Sequence, residues 1–275
     1  MKTRIISALV GLVLLGAVLC LFETAVLDIA VAALSVMAVY EMINAAGLSK
    51  KRIFTGVCVV FAGFFSTAYY QTFASLSGFV EFIFAMIILI FVLAEHKDIK
   101  SSDAAFAFMF TIMIPRAFSV LLLLRNYGEP VSYFLVLLSL AVAWLNDTCA
   151  YFSGYFFGKR KLCPEISPKK TVEGAIGGVF GDALLCCVLA LVFMKITGYS
   201  INWVSFVIFV PVGAIIAILG DLCASIIKRQ YGIKDYGKIM PGHGGIMDRF
   251  DSILAVSCVI NVLWLIPVFA NNVLK

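Results

Sequence analysis

The residues best suited to chemistry lie in one stretch of the chain, positions 221–252, between two apolar runs. The stretch combines carboxylates, basic side chains, a histidine and a G-H-G-G turn, and its polar members include Asp221, Ser225, Lys228, Arg229, Lys234, Asp235, His243, Asp248, Arg249 and Asp251. Charged groups beside a membrane-length segment are costly unless they pair, bind ions or face water. An ordinary cytoplasmic loop accounts for the Lys and Arg but not for the acids. The stretch is therefore interpreted as a functional site.

Two carboxylates of this stretch favour a divalent cation. Asp221 closes one apolar run and Asp248 opens the next, without the Cys or His spacing typical of zinc sites. Oxygen ligands of this kind suit Mg²⁺ above all. Ser225 and Arg229 follow Asp221 at four-residue steps, so the three share a helix face. Asp251 follows Asp248 after three residues and shares a face with it in the same way.

A second polar segment, in the sixth apolar run, has glycines at helical spacing. Asp147 and Tyr151 are four residues apart and are expected to share one helix face. Gly154 and Gly158 continue that face. Small residues at this spacing allow the close approach of another helix or of a ligand.

The sequence S-P-K-K-T-V-E-G, which begins at Ser167, precedes the seventh apolar run. Thr171 or Ser167 is expected to cap the seventh helix, whose N-terminal amides favour anions. Lys169 and Lys170 stand beside the same helix end, which predicts phosphate binding. Together with the two aspartates, the pattern indicates metal-assisted phosphoryl or nucleotidyl transfer at the cytoplasmic edge of a bilayer.

The composition is that of an integral membrane protein. Of the 275 residues, 63% are hydrophobic and 13% are charged, and the mean hydropathy is +1.05. Soluble domains carry about 25% charged residues. The eight cysteines are scattered, mostly in apolar runs, without a C-x-x-C or Cys/His metal spacing. A disulfide framework or a zinc site is therefore not expected.

A bilayer core of about 30 Å needs roughly 20 apolar residues per helix. On that measure we predict an all-α polytopic protein with nine membrane spans, the first an uncleaved N-terminal one. The predicted spans lie near residues 5–22, 25–46, 53–71, 79–95, 104–124, 131–157, 172–196, 202–227 and 249–270. The chain, 1–275, is expected to be a single membrane domain. Its first five spans (1–125) would be a scaffold, and its last four (131–275) would carry the active site.

The basic residues predict the orientation. With a cytoplasmic N-terminus and an outside C-terminus, 17 Lys and Arg side chains lie inside and three lie outside, and Arg116 falls within a span. The inside set is Lys2, Arg4, Lys50, Lys51, Arg52, Lys97, Lys100, Lys159, Arg160, Lys161, Lys169, Lys170, Lys228, Arg229, Lys234, Lys238 and Arg249. The loops 158–171 and 228–248 would then share the cytoplasmic face.

Four isolated polar side chains are interpreted one by one. Glu41, near the end of the second span, is expected at the membrane interface. For Arg116, which follows a proline in the fifth span, a structural ion pair and a cavity-lining role both stay open. Asp182 is either the partner of a basic group or a cavity acid. His243 either donates to a phosphate or shapes the turn between its glycines.

The polar motif resembles that of a known family. The stretch from Ser225 to Asp251, S-I-I-K-R-Q-Y-G-I-K-D-Y-G-K-I-M-P-G-H-G-G-I-M-D-R-F-D, resembles the hallmark motif of phosphatidate cytidylyltransferases (CDP-diacylglycerol synthases), with no departure from that pattern. The segments D-T-C-A-Y-F-S-G (147–154) and S-P-K-K-T-V-E-G (167–174) are also similar to family segments. The resemblance covers the C-terminal half, and the first five spans match in character only.

The resemblance implies a bacterial enzyme of the cytoplasmic (inner) membrane, with nine spans and a cytoplasmic active site. It would transfer CMP from CTP to phosphatidic acid, giving CDP-diacylglycerol and pyrophosphate in phospholipid biosynthesis. The family also implies Mg²⁺ held by the aspartates that match Asp221 and Asp248, with a monovalent cation such as K⁺ beside it. The expected partners are CTP, phosphatidic acid and membrane lipids, with a homodimer as a candidate assembly and no nucleic acid.

Site residues follow from the motifs and the resemblance together. The residues expected to act in catalysis are Asp221, Asp248, Lys228, Arg229 and Asp251. Those expected to bind substrate are Asp147, Ser167, Lys169, Lys170, Thr171, Glu173, Ser225, His243, Gly244, Gly245 and Arg249. The nucleophile would be a phosphate monoester, largely dianionic at pH 7 because its second pKa is near 6. No general base is therefore required.

Three other functions stay open from the sequence. A transporter or channel would carry intramembrane acids, but it should show charge continuing toward the far side or an inverted repeat. A scaffold would not concentrate polar residues in two segments on the same side. A polyprenol kinase that uses CTP is the nearest enzyme alternative, and the identity of the lipid acceptor and of the transferred group would distinguish it.

Overall fold

The protein is a helical chain, described here by a computed structural model that covers residues 2–68, 76–242 and 244–265. Within these residues an α-helix lies at each of the nine predicted apolar runs. The helices are α1 (Lys2–Cys20), α2 (Ala25–Ala45), α3 (Arg52–Ala68), α4 (Ser77–Ala94), α5 (Ser101–Leu124), α6 (Val131–Phe157), α7 (Val172–Thr197), α8 (Trp203–Gln230) and α9 (Met247–Leu265). The predicted ends of the third and ninth runs, 69–71 and 266–270, lie outside the described residues.

Six of the described helices are long and apolar enough to cross a bilayer by length and composition. They are Ala25–Ala45, Ser77–Ala94, Ser101–Tyr127, Val131–Phe157, Val172–Thr197 and Trp203–Gln230. Two shorter apolar helices, Leu9–Cys20 and Arg52–Thr67, lie in α1 and α3. These findings support an all-α, multi-pass membrane protein. The count of nine spans and the orientation of the termini stay predictions.

One segment that was predicted as a plain loop contains a β-ribbon. Strands β1 (Lys161–Cys163) and β2 (Ser167–Thr171) pair antiparallel, with Lys161 opposite Thr171 and Cys163 opposite Ser167. The Val172 N–H also donates to the Arg160 carbonyl at 2.9 Å. The ribbon therefore fixes the chain directly before α7.

The chain divides into two compact units, which are described separately. The first comprises Met1–Arg125 with Gln230–Arg249, and the second comprises Asn126–Arg229 with Phe250–Lys275. The segment that carries the G-H-G-G turn thus belongs to the same unit as the first five helices. The prediction of a single domain with its active site after residue 131 stays a prediction.

The first unit is built around α2, which packs on α3 and α5. Phe84 of α4 is fully buried, and its ring lies 4.7 Å from that of Phe61 and 5.6 Å from that of Phe108, centroid to centroid. In the same unit Arg116 pairs with Glu81 at 3.0 Å. Of the two roles left open for Arg116, the contact favours the structural ion pair.

The second unit is dominated by the packing of α6 on α7. The two helices cross where Gly154 faces Gly174, and a Cβ added to Gly174 would lie 2.8 Å from the Ala150 carbonyl oxygen. The close approach expected of the α6 glycines is therefore confirmed for Gly154. Deeper in α7, Asp182 is fully buried and accepts from the Cys186 thiol at 3.3 Å. Asp182 has no basic partner among the described residues.

All eight cysteines are free, in agreement with the expectation from their spacing. Cys58 and Cys186 are buried inside the helical packing, where they act as small apolar groups.

Candidate active site

A pocket of about 380 Å³ lies in the second unit, formed by α6, the β-ribbon, α7 and α8. Five of the predicted site residues line it: Asp147, Lys169, Lys170, Thr171 and Asp221. The remaining lining residues are Ala150, Tyr151, Gly154, Tyr155, Leu162, Gly174, Ala175 and Ile218. Two lysines, two carboxylates and a helix N-terminus therefore share one cavity, as the two polar segments of the sequence led us to expect.

The N-terminus of α7 forms one side of this pocket. Thr171 is extended, with φ −122° and ψ 155°, and its hydroxyl oxygen accepts from the Gly174 N–H at 3.1 Å. Thr171 is thus the cap, and this prediction is confirmed. Ser167 was the alternative cap, and that interpretation is wrong because Ser167 begins β2. The amides of Val172 and Gly174 thus have partners within the protein, and the end of the helix favours anionic ligands through its dipole.

Glu173, which was predicted to bind substrate, has contacts inside the protein. Its carboxylate accepts from the Lys159 N–H at 3.0 Å and from the Arg160 N–H at 3.1 Å. These bonds tie the first turn of α7 to the chain that enters the ribbon. The structure therefore gives Glu173 a role in holding the pocket wall.

Lys170 and Asp221 form an ion pair inside the pocket. Each side chain is about one quarter exposed, at 25% for Lys170 and 24% for Asp221. Partial burial makes such a pair stronger than one at a free surface. The Asp221 carboxylate is thus already paired with an ammonium group, so a metal ion that binds Asp221 would take the place of Lys170.

A further carboxylate lies near this pair. Asp251 of α9 is only 9% exposed, and it interacts electrostatically with Asp221 and Asp147 and with the Lys228 ammonium. Gly220 lets α8 and α9 pack closely at this point, because an added Cβ there would lie 3.2 Å from the Asp251 carbonyl oxygen. Three helices therefore supply acids that act on one another.

Two more predicted residues lie on α8. Ser225 is buried. Arg229 is exposed, and its Nε donates to the Ile166 carbonyl at 3.2 Å. This bond connects the end of α8 with the turn of the β-ribbon, so Arg229 fixes the ribbon beside the pocket.

Asp248 is held within the first unit by backbone amides. Its Oδ2 accepts from the Tyr236 N–H at 2.8 Å and from the Gly245 N–H at 3.0 Å. The turn before it is closed by an antiparallel bridge between Met240 and Gly244, and Gly244 has a φ of 90°. His243, between these residues, lies outside the described residues, and both of its roles stay open. Arg249 lies in the first turn of α9.

Sequence reasoning missed Glu41. This side chain of α2 was expected at the membrane interface, but it is 2% exposed. Its Oε1 accepts from the Ile246 N–H at 3.0 Å and its Oε2 from the Met247 N–H at 2.9 Å. The carboxylate is thus buried against the start of α9, and its expected depth at the membrane interface stays a prediction. An acid inside an otherwise apolar run was the signal, but its partners lie more than 200 residues away.

The carboxylates are the candidate ligands for Mg²⁺. In the described part of the chain, no three His, Cys, Asp or Glu side chains form a group that could hold a metal ion by themselves. Mg²⁺ is usually held by one or two carboxylates and completed by water and substrate phosphates. The carboxylates described above fit that requirement in chemistry. Asp221 belongs to the second unit and Asp248 to the first, so their pairing at one metal stays a prediction.

Comparisons with known proteins agree with the resemblance of the motif. A profile of the cytidylyltransferase family matches residues 2–266. Proteins named phosphatidate cytidylyltransferase from Staphylococcus saprophyticus and Bacillus subtilis strain 168 are 38% and 36% identical over 180 and 178 residues. These alignments cover 65% and 63% of this chain and 66% and 63% of the relatives, just under two thirds of their length.

A longer alignment is found with a protein of the same name from Staphylococcus aureus strain COL. It is 31% identical over 274 residues, which are 96% of this chain and 98% of the relative. The profile match and this alignment each extend through both compact units. The chain therefore belongs to the cytidylyltransferase family.

Proposed function

We propose that this protein transfers CMP from CTP to phosphatidic acid and so forms CDP-diacylglycerol and pyrophosphate for phospholipid biosynthesis. The observation that carries the proposal is the pocket of the second unit, where Lys169, Lys170 and the capped N-terminus of α7 face Asp221 and Asp147. Cationic groups beside carboxylates suit a ligand that brings both phosphates and a metal ion. Family membership and the names of the relatives support the same reaction.

The reaction needs little acid–base chemistry from the protein. The lipid phosphate attacks the α-phosphorus of CTP in line, and pyrophosphate leaves with the bridging oxygen. The attacking oxygen is already deprotonated at pH 7, because the second pKa of a phosphate monoester is near 6. The protein must therefore reduce the repulsion between two polyanions and align them.

The basic side chains are assigned to that task. Lys169 and Lys170 bind phosphate oxygens at the N-terminal end of α7, where the helix dipole adds positive potential. Lys228, which interacts electrostatically with Asp251, is assigned to reducing the repulsion between the substrates. Arg229 holds the ribbon through Ile166 and adds positive charge at the end of α8. Arg249, in the first turn of α9, is assigned to the substrate by the motif.

Asp221 and Asp248 are the residues proposed to hold Mg²⁺, with K⁺ as a second, monovalent cation. When bound, Mg²⁺ neutralises charge on the transferring phosphate. The position of the Asp221 carboxylate in the pocket, which Asp147 also lines, supports the first assignment. The fixed orientation of the Asp248 carboxylate by two backbone amides supports the second.

We also propose nine spans in the bacterial cytoplasmic membrane, with the active site and the N-terminus facing the cytoplasm. The distribution of Lys and Arg supports this orientation. Single-cysteine reporters in loops 158–171 and 228–248 should both be shielded from an impermeant reagent in intact cells, and one at Asn271 should react. Labelling of only one of the two loops would refute a shared site. Cross-linking in native membranes would test the proposed homodimer.

The test of the reaction uses the purified protein in detergent with phosphatidic acid, Mg²⁺ and CTP labelled at the α- or γ-phosphate. The proposal expects α-label in a lipid product and γ-label in pyrophosphate. Transfer of γ-label to a lipid would indicate a kinase instead. Absence of both labels from lipid, with folded protein, would refute a CTP-dependent transfer to phosphatidic acid.

A further inference from the structure

We infer that Glu41 is a positioning residue that fixes the loop directly before Asp248, by capping the N-terminus of α9 from a separate helix. The inference rests on contacts within the first unit. It depends on the proposed function only for what the loop does in catalysis.

The hydrogen bonds of Glu41 require a carboxylate. Its two oxygens accept from two consecutive backbone N–H groups, Oε1 from Ile246 and Oε2 from Met247. These amides lie at the start of α9, where N–H groups have no partner inside the helix. A glutamine could accept only one of them, because its NH₂ group would face the other N–H. A negative charge at this end also interacts favourably with the helix dipole.

The loop has no side chains where Glu41 packs against it. A Cβ added to Gly237 or to Gly245 would overlap the Glu41 carboxylate. Neither glycine has a positive φ, so backbone conformation does not account for them. The absence of a side chain at both positions is explained by the space that Glu41 occupies.

Asp248 depends on the same loop. The two amides that hold its Oδ2 belong to Tyr236 and Gly245, and Gly245 contacts Glu41 and directly precedes Ile246. Glu41 and Asp248 therefore fix adjacent amides of one segment. A second anchor comes from α1, where the Ser7 hydroxyl donates to the Pro241 carbonyl at 3.0 Å. Loss of Glu41 should release the loop and with it the orientation of Asp248.

Limited trypsin digestion in detergent measures this release without reference to activity. Lys234 lies exposed in the loop, and Lys97 lies exposed between α4 and α5 as an internal reference. Hydrogen bonds to charged groups are strong enough that Glu41→Gln should raise the rate of cleavage after Lys234 by about tenfold. Cleavage after Lys97 should be unchanged. Asp28→Asn is the matched control, since it removes an acid of α2 that pairs with Arg125 instead of the loop.

Gly237→Ala tests the contact from the other side. We expect it to speed cleavage after Lys234 in the natural protein, because the new methyl group displaces the Glu41 carboxylate. In a Glu41→Ala background the same change should alter the rate less than about twofold, since contacting residues are non-additive. Equal effects of Gly237→Ala in both backgrounds would refute the contact.

Activity gives the functional part of the test. Glu41→Gln should raise the Mg²⁺ concentration needed for half-maximal transfer of CMP, and Asp28→Asn should not. If the natural protein transfers no CMP, the proposed function fails, and the digestion still decides the role of Glu41. Unchanged cleavage after Lys234 in Glu41→Gln, or an equal rise in Asp28→Asn, would overturn the inference.

Discussion

The two units present their polar residues in different ways. In the second unit the pocket is built from neighbouring segments: Thr171 caps its own helix, and Lys170 lies next to it in the ribbon. In the first unit the loop before Asp248 is held by Glu41, more than 200 residues earlier in the chain. Local patterns identify a site of the first kind. A site of the second kind is identified only when the fold is known.

The largest expected effect tests whether the two units serve one reaction. Asp248→Asn and Asp221→Asn each remove a charge proposed to hold Mg²⁺, with almost no change in shape. Removing one group that stabilises transition-state charge lowers turnover about 10²–10³-fold, and each variant should lose at least that much. The double variant should be little worse, because residues that act as a unit are non-additive. Initial rates at saturating CTP, with a check of folding by thermal unfolding, provide the measurement.

An additive loss in the double variant would separate the two aspartates into independent roles. Near-normal Mg²⁺-dependent activity in folded Asp248→Asn would make that acid structural.

A smaller effect is expected within the pocket. Lys169→Gln with Lys170→Gln should raise KM for CTP or for phosphatidic acid by about ten- to a hundredfold, given the strength of hydrogen bonds to charged groups. Lys170→Gln alone should also disturb Asp221, its ion-pair partner, so its effect should exceed that of Lys169→Gln. Steady-state kinetics with each substrate varied would show this. If the double variant keeps the kcat/KM of the natural protein for both substrates, the two lysines have a role in topology only.

A cap variant compares the units directly. Thr171→Ala removes the cap of α7, and Thr24→Ala removes the matching cap of α2, where Thr24 accepts from the Val26 N–H. Each should lower the free energy of unfolding by about 1 kcal/mol. Only Thr171→Ala should also weaken binding of CTP, because only that cap lines the pocket. Denaturation in detergent and CTP binding measure the two effects, and equal loss of binding in both variants would contradict the assignment.

The smallest effect is expected at the surface of the first unit. Lys51 pairs with Glu95 and Asp98, which raises the pKa of Lys51 above 10.5 and lowers that of Asp98 below 3.8. Lys51→Gln should therefore reduce Tm slightly, and by less than Thr171→Ala does. A raised lysine pKa and a lowered aspartate pKa both stabilise the fold between these limits. The difference should fade below about pH 3.8 and above about pH 10.5, and a difference that persists unchanged outside these limits would exclude the ion pair as its cause.

The sequence was sufficient for features that depend on short spacing. Apolar runs placed all nine described α-helices, and the polar residues before the seventh run gave Thr171 and Ser167 as candidate caps, of which Thr171 is the cap. It was insufficient where partners are distant. The sequences of β1 and β2 show no extended alternation of apolar and polar residues, so the sequence predicts a loop there. Glu41 lies near the end of an apolar run, and its partners are backbone amides, which have no signature in sequence.

The pairing of Lys170 with Asp221 has a consequence for how ions bind in the pocket. A lone anion that engages Lys170 would leave a bare carboxylate, and a lone cation at Asp221 would leave a bare ammonium. A cation and an anion that enter together leave neither. The pocket thus favours the joint binding of a cation and an anion over the binding of either ion alone. By thermodynamic reciprocity, whatever factor the cation adds to the affinity for the anion, the anion adds to the affinity for the cation.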